Sequence, residues 1–241
     1  MRYRLVCFDA GFTLLAPRRT LTDALRGVLA EHGHEVGDRD LHHAWEVADR
    51  WFWEGYRQPA NDTWADDKRI DAHWRQYHAV MLRELGIDDA QGRLIDLILE
   101  GQYAPDSWEL YPDVLPTLTE LRAAGLRLGV ISDWGSNLAP IIAGLGLDRL
   151  LDFALASGAE GMAKPDPAFF RLAAARAGVP TAEALMVGDS YRADVEGAQT
   201  AGMAGILLRR PEWRDRREAV PAGAVVIASL AELPGIVLGG R

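Results

Sequence analysis

The sequence predicts an α/β fold, a doubly wound parallel β-sheet with a helical segment inserted after its first strand. Three observations lead to this prediction. Short apolar runs alternate with amphipathic stretches from about residue 112 onward, a pattern typical of strands joined by right-handed helical crossovers. One further apolar run begins at Leu5. From about residue 17 to 108, apolar residues recur at the three- and four-residue spacing of helices.

The first predicted strand is the apolar run Leu5–Phe8, and Asp9 follows it directly. In open parallel sheets, ligands and catalytic groups lie at the carboxyl ends of strands. A carboxylate is costly to bury there unless a cation or hydrogen-bond donors pair with it. We therefore expect the rest of the chain to bring partners for Asp9 to the same edge.

The segment after this strand is predicted to be almost wholly helical. The expected helices are Leu21–Leu29, Leu41–Phe52, Ile70–Leu85 and Leu94–Leu99. Between the second and third of them, Gln58–Ala65 contains proline, asparagine and aspartate and is expected to be a loop. The predicted division is an α/β domain made of residues 1–16 and 109–241, with residues 17–108 as a helical domain.

The remaining elements alternate along the second half of the chain. The predicted strands are Leu126–Ser132, Phe153–Ala156, Leu185–Asp189, Gly205–Leu208 and Ala224–Ile227. The predicted helices are Val114–Ala124, Ala139–Leu145, Ala168–Ala177 and Ala193–Ala201. Most of these strands end in a small or polar residue, which places chemically active groups at one edge of a parallel sheet.

Three of the later strands are followed by polar groups that should converge on Asp9. Ser132 ends the second strand, Lys164 follows the third and Asp189 follows the fourth. Carboxylates gathered at one edge repel each other unless a cation lies between them, and a few carboxylates plus water suit Mg²⁺. A lysine and a hydroxyl suit a phosphate or another anion. A carboxylate nucleophile, a metal and a lysine together indicate phosphoryl transfer through an aspartyl-phosphate.

Two ordered motifs carry a resemblance to a known family. They are Lys-Pro-Asp-Pro at 164–167 and the Gly-Asp-Ser run that begins at Gly188 and ends at Asp194. With Asp9 and Ser132 before them, the chain resembles haloacid dehalogenase-like (HAD) hydrolases with an α-helical cap inserted after the first strand. The resemblance covers nearly the whole chain. It implies a Rossmann-like core, a Mg²⁺ cofactor and a small phosphorylated metabolite as substrate.

The resemblance also implies a role for each site residue. Asp9 would be the nucleophile and a metal ligand. The backbone carbonyl of Gly11 and the carboxylate of Asp189 would be further ligands, and Asp194 would support the metal. Ser132 and Lys164 would hold the phosphoryl oxygens.

Position 11 departs from the pattern of the family's phosphatases. These enzymes usually carry a second aspartate two residues after the nucleophile, which protonates the leaving group and later activates water. This chain has Gly11 there, and no acidic residue occurs between Ala10 and Pro17. General acid–base help is worth about 10²–10⁴ in rate. Asp133, next to Ser132, is a possible substitute acid and substrate contact.

Four readings of the chemistry remain open on sequence alone. The protein is a phosphatase with another acid or a good leaving group, or it is a dehalogenase-like enzyme, whose leaving halide needs no proton. It also resembles phosphonoacetaldehyde hydrolase, which uses a cap lysine for a Schiff base. Lys68, the only lysine of the helical segment, lies in acidic surroundings that suit a solvated charge. The fourth reading is a catalytically weak relative that acts as a binding module.

Charge and composition limit the partners. The net charge of −9 disfavours nonspecific binding to nucleic acid or anionic membranes. No apolar run approaches membrane-spanning length, and the first residues lack a signal-peptide pattern, so the expected location is cytoplasmic. The single cysteine, Cys7, lies in a predicted strand and is expected to be a buried, inert thiol.

Overall fold

The computed structural model describes residues 2–56, 58, 62–213 and 220–239. Its strands, in chain order, are β1 (Leu5–Phe8), β2 (Leu15–Pro17), β3 (Trp108–Leu110), β4 (Arg127–Ser132), β5 (Phe153–Ala156), β6 (Ala184–Gly188), β7 (Ala204–Leu208) and β8 (Val226–Ile227). Six of them form one sheet in the order β5-β4-β1-β6-β7-β8. Neighbouring strands in this sheet are parallel. The predicted parallel α/β fold is therefore confirmed.

The helices occupy two parts of the chain. Four long ones lie between β2 and β3: α1 (Leu21–Glu31), α2 (Asp38–Tyr56), α3 (Asp67–Glu84) and α4 (Arg93–Tyr103). The others alternate with the later strands: α5 (Val114–Ala123), α6 (Leu138–Gly144), α7 (Ser157–Glu160), α8 (Pro167–Ala177), α9 (Gly197–Thr200) and α10 (Leu233–Leu238). None of the helices in the described ranges is long and apolar enough to span a bilayer.

The central strand β1 is buried on both faces, which explains its uninterrupted apolar sequence. Val6 and Phe8 belong to one core cluster, which includes residues of α5, α6 and α10. Leu5 and Cys7 point to the other face and pack with residues of α8 and α9. The strand thus divides two helical layers, and its carboxyl end is the point at which the strand order changes direction.

The four helices between β2 and β3 pack around a separate apolar core. Leu25 and Leu29 of α1, Leu41 of α2 and Met81 of α3 are among its buried residues. These helices show the apolar spacing on which the helical prediction rests. The predicted helices are therefore present and longer than their sequence-based bounds, although α3 ends one residue earlier than predicted.

Two local features differ from the sequence-based expectation. Strands β2 and β3 form a short antiparallel ladder at the two ends of the helical segment; three residues are too few to show a period in the sequence. The helix expected over Ala193–Ala201 begins as a π-helix, Tyr191–Glu196, which continues into α9. In this wider turn, the backbone carbonyl of Ser190 accepts hydrogen bonds from the amides of Asp194 and Val195.

Candidate active site at the strand ends

Four of the sequence-predicted side chains meet at the carboxyl edge of the sheet. Asp9 Oδ1 accepts hydrogen bonds from Ser132 Oγ at 2.9 Å and from Lys164 Nζ at 2.7 Å. Lys164 Nζ also donates to Asp194 Oδ1 at 2.6 Å. All four residues are buried. The structure therefore builds one charged cluster from residues that lie far apart in the chain.

The backbone positions the two outer carboxylates of this cluster. Pairing of Phe8 with Val130 and Val187 places Asp9 between β4 and β6, and its amide donates to Val187 O at 2.9 Å. Asp194 lies on the π-helix, and its Oδ2 accepts from the Ser190 amide. A β-carbon at Gly188 would lie 2.2 Å from Asp194 Cγ. Glycine is therefore required at 188 for Asp194 to reach the cluster.

The cluster contains one cation among several acids. Burial by itself would lower the pKa of the Lys164 ammonium, but the carboxylates of Asp194, Asp9 and Asp133 raise it well above its ordinary value. Burial raises the pKa of Asp194, and the Lys164 charge opposes that rise. Lys164 thus stays protonated at neutral pH and holds two carboxylates in place.

Asp133 is in contact with Lys164 through the backbone of that residue. Its Oδ1 accepts a hydrogen bond from the Lys164 amide at 2.9 Å. Its Oδ2 is buried and has no hydrogen-bond partner within the described part of the chain. Burial raises the pKa of the Asp133 carboxyl to about 7, although the Lys164 charge acts in the opposite direction. Asp133 is therefore a half-buried residue with one buried carboxyl oxygen and a raised pKa.

Gly11 lies against an aromatic side chain. A β-carbon at this position would lie 3.3 Å from Cζ3 of Trp134, whose indole meets that of Trp108 edge to face at 4.7 Å. An aspartate at position 11 would therefore require the indole to move by a few tenths of an ångström. Trp134 occupies the space beside Gly11, and the sequence analysis did not identify it as part of the site.

A buried arginine holds the turn that contains Gly11. Arg210 donates to Thr13 O at 2.7 Å and forms a two-pronged ion pair with Asp113 at 2.9 and 3.1 Å. Its guanidinium carbon lies 3.6 Å from the ring centroid of Tyr111. The sequence gives little signal for this role, because Arg210 is the second residue of a charged run, 209–217, of a kind typical of solvated loops.

Tyr56, the last residue of α2, extends from the helical segment to the strand-end cluster. Its ring stacks on Phe52 at 5.9 Å and meets Trp64 edge to face at 6.2 Å. Burial raises the pKa of its hydroxyl well above the ordinary value, and the charge of Asp133 adds to that rise. Asp194 and Asp189 contribute in the same direction, while Lys164 opposes them. Sequence reasoning missed Tyr56, since nothing distinguishes it from the other aromatic residues of its helix.

The helical segment docks onto the loop that follows β4. Asp67, the first residue of α3, accepts hydrogen bonds from the amide of Ser136 at 2.9 Å and from its hydroxyl at 2.5 Å. A β-carbon at Gly158 would lie 2.2 Å from Asp67 Oδ1. The neighbouring Lys68 is exposed on the first turn of α3.

The oxygen donors at the strand ends match the chemistry of Mg²⁺. Asp189 is half-buried directly after β6, close enough to Tyr56 to influence its hydroxyl. Among the described residues, no group of three or more His, Cys, Asp or Glu side chains is placed to hold a metal ion. A cation here would therefore depend on fewer protein carboxylates, a backbone carbonyl and water. Mg²⁺ is commonly bound in this way, so the residues present fit it.

Comparisons with known proteins point to a family of hydrolases. The family model described as haloacid dehalogenase-like hydrolase matches residues 3–202. The haloacid dehalogenase-like hydrolase domain-containing protein 3 of Mus musculus is 31% identical over 99% of this chain and 95% of its own length. A phosphoglycolate phosphatase of Pseudomonas savastanoi pv. phaseolicola is 29% identical over 96% of this chain and 79% of its own length. The crystal structure of a 2-haloacid dehalogenase from Pseudomonas syringae pv. Tomato superposes with a TM-score of 0.65 and 28% identity, covering 99% of this chain and all of that one.

Proposed function

Because the chain belongs to the haloacid dehalogenase-like hydrolase family, we propose that it is a Mg²⁺-dependent phosphatase that hydrolyses a small phosphorylated metabolite through an aspartyl-phosphate on Asp9. One observation carries the proposal. The hydrogen bonds from Ser132 and Lys164 both reach Asp9 Oδ1, so Oδ2 is left to attack phosphorus. A carboxylate oriented through one oxygen in this way is prepared for nucleophilic catalysis.

The other residues of the cluster supply charge and orientation. Ser132 and Lys164 would hold the phosphoryl oxygens, and Lys164 would offset their negative charge. Asp9, the carbonyl of Gly11 and Asp189 would hold Mg²⁺, with Asp194 in support. When bound, Mg²⁺ neutralises charge on the transferring phosphoryl group.

The helical segment would act as a cap over this site. Residues 17–108 form the proposed cap domain, and residues 1–16 and 109–241 form the catalytic domain. The docking of Asp67 on Ser136 and the approach of Tyr56 to Asp133 support this arrangement. A closed cap excludes water and brings its own side chains to the substrate. The phosphatases among the similar proteins support a small phosphorylated substrate.

The test is hydrolysis of p-nitrophenyl phosphate with and without Mg²⁺. We expect turnover that needs Mg²⁺, stops on addition of EDTA and falls to background in Asp9→Asn. Asp148→Asn, which changes an exposed aspartate in the same way, is the matched control and should keep full activity. Turnover by Asp9→Asn at the rate of the unsubstituted protein would refute the assignment of the nucleophile.

A dehalogenase is the second candidate function. Two observations favour it: Gly11 has no acidic side chain, and the similar crystal structure is that of a 2-haloacid dehalogenase. In this reaction Asp9 would displace halide from carbon, and the halide leaves without a proton. Release of chloride from a 2-chloroacid in the presence of EDTA, lost in Asp9→Asn, would establish this candidate and exclude the phosphatase as the main activity.

A further inference from the structure

We propose that Asp133 is the general acid and base of the reaction and replaces the acidic side chain absent at position 11. This inference rests on the proposed phosphatase function. It names the residue that completes the chemistry which Asp9 begins.

The other polar side chains of the strand-end cluster are already committed to contacts. Lys164 bridges Asp9 and Asp194 with two short hydrogen bonds, and Ser132 donates to Asp9. Gly11 has no side chain, and the Trp134 indole lies beside it. Asp194 uses both oxygens, one toward Lys164 and one toward the Ser190 amide. The proton of the leaving group must therefore come from elsewhere.

The geometry of Asp133 suits proton transfer to the leaving group. Its Oδ1 is fixed by the Lys164 amide, and its Oδ2 is buried without a partner among the described residues. Asp133 follows Ser132 in the chain and binds the amide of Lys164, so it adjoins both of the proposed phosphoryl ligands. One oxygen thus orients the carboxyl group, and the other remains free for a substrate oxygen.

The titration of Asp133 suits this role. The groups that face it are Lys164, Asp194 and Asp9 from the sheet edge and Tyr56 from α2. Its pKa of about 7 keeps roughly half of the carboxyl groups protonated at neutral pH. A general acid that also serves as a base works best when its pKa is close to the operating pH.

Each step balances. Asp9 Oδ2 forms a bond to phosphorus as the bond from phosphorus to the ester oxygen breaks, and the Asp133 proton passes to that oxygen, so an alcohol leaves. Asp133, now a carboxylate, takes a proton from water as the water oxygen attacks phosphorus. The bond between Asp9 and phosphorus breaks, inorganic phosphate leaves, and both side chains return to their starting forms.

The test compares Asp133→Asn with the unsubstituted protein on an alkyl phosphate and on p-nitrophenyl phosphate. Asparagine keeps an oxygen for the Lys164 amide but carries no transferable proton. We expect kcat/KM on the alkyl phosphate to fall by about 10²–10⁴. On the aryl ester it should change by only a few-fold, because nitrophenolate leaves without a proton.

Hydrolysis of the aspartyl-phosphate provides a measurement that would not change if Asp133 had only a structural role. Without a base to activate water, the phosphorylated enzyme should accumulate, so Asp133→Asn should release a burst of nitrophenol followed by slow turnover.

Three results would overturn the inference. An equal fall in kcat/KM on both esters, without a burst, would indicate that Asp133 has a structural role. The proposed phosphatase function would still hold in that case if turnover depends on Asp9. Unchanged kinetics in Asp133→Asn would exclude it as the acid. If the unsubstituted protein hydrolyses neither ester, both the phosphatase and the role of Asp133 fail.

Discussion

Arg210 offers the sharpest test of how the turn containing Gly11 is held. Its side chain is 6% exposed and that of Asp113 is 14% exposed, so the ion pair between them is shielded from water. Replacing Arg210 with alanine removes the two-pronged ion pair, the hydrogen bond to Thr13 O and the stacking on Tyr111. Within the described part of the chain, Asp113 then keeps its donors from Ser229 and Leu230.

Removing one partner of a buried ion pair costs about 3–5 kcal/mol. For a chain of this size, each kcal/mol corresponds to about 2–4 °C in melting temperature. Arg210→Ala should therefore melt roughly 6–20 °C below the unsubstituted protein. Thermal unfolding followed by circular dichroism measures this difference directly.

The matched control is Arg4→Ala, which removes a single-pronged ion pair with Glu183 at 3.1 Å. Both of its side chains are well exposed, at 62% and 40%. An exposed pair contributes only about 0–1 kcal/mol, so this variant should melt within about 4 °C of the unsubstituted protein. Equal shifts in the two variants would refute the reasoning, because burial would then make no difference.

The ion pair between Arg210 and Asp113 also predicts how the stability of the protein depends on pH. Although burial opposes it, the hydrogen bonds and charge of Arg210, with the Ser229 donor, lower the pKa of Asp113 below its ordinary value. A carboxyl group whose pKa is lowered in the folded protein stabilises the fold at pH values above its ordinary pKa of about 4. This stability is lost as the pH falls through the lower, folded-state pKa. The difference in stability between Arg210→Ala and the unsubstituted protein should narrow below about pH 4.

Three further outcomes are expected. Gly11→Asp, which requires the Trp134 indole to yield a 3.3 Å contact, should not raise kcat/KM for alkyl phosphates, because Asp133 already supplies the proton. A large gain, mainly on the alkyl ester, would show that the missing acid limits the rate. In Gly158→Ala, the added methyl group would lie 2.2 Å from Asp67 Oδ1 and disturb the docking of the helical segment, so KM should rise. Gly27→Ala, whose added methyl group would meet no atom within 4 Å, should leave KM unchanged. Lys164→Met should abolish turnover of p-nitrophenyl phosphate, and activity above one tenth of normal would contradict its role as a phosphoryl ligand.

Much of the core could be predicted because its signals are local. Alternation of apolar runs and amphipathic stretches depends on neighbouring residues, so the order of strands and helices could be inferred from the sequence. The parallel pairing follows from that order, and it brings the ends of β1, β4 and β6 together. The contact of Asp9 with Ser132 and Lys164 is thus a consequence of elements that the sequence already indicates.

The β2–β3 ladder and the π-helix were harder to predict for opposite reasons. The ladder pairs residues on either side of the whole helical segment, so no local pattern marks it. The π-helix lies within a stretch of ordinary helical spacing, and the hydrogen bonds of Asp194 to Lys164 and Ser190 accompany the wider turn. Helical periodicity does not distinguish the two kinds of turn.

The sequence by itself determined the strand-end set and the absence of an acid at Gly11, because both depend on residue identity and position relative to an apolar run. Only the tertiary structure decided what surrounds that glycine: the Trp134 indole beside it, Arg210 holding its turn, and Tyr56 brought toward Asp133. The reason is physical. Local periodicity reports which face of an element is buried, whereas the protonation of a carboxyl group depends on its burial and on charges brought close from distant parts of the chain.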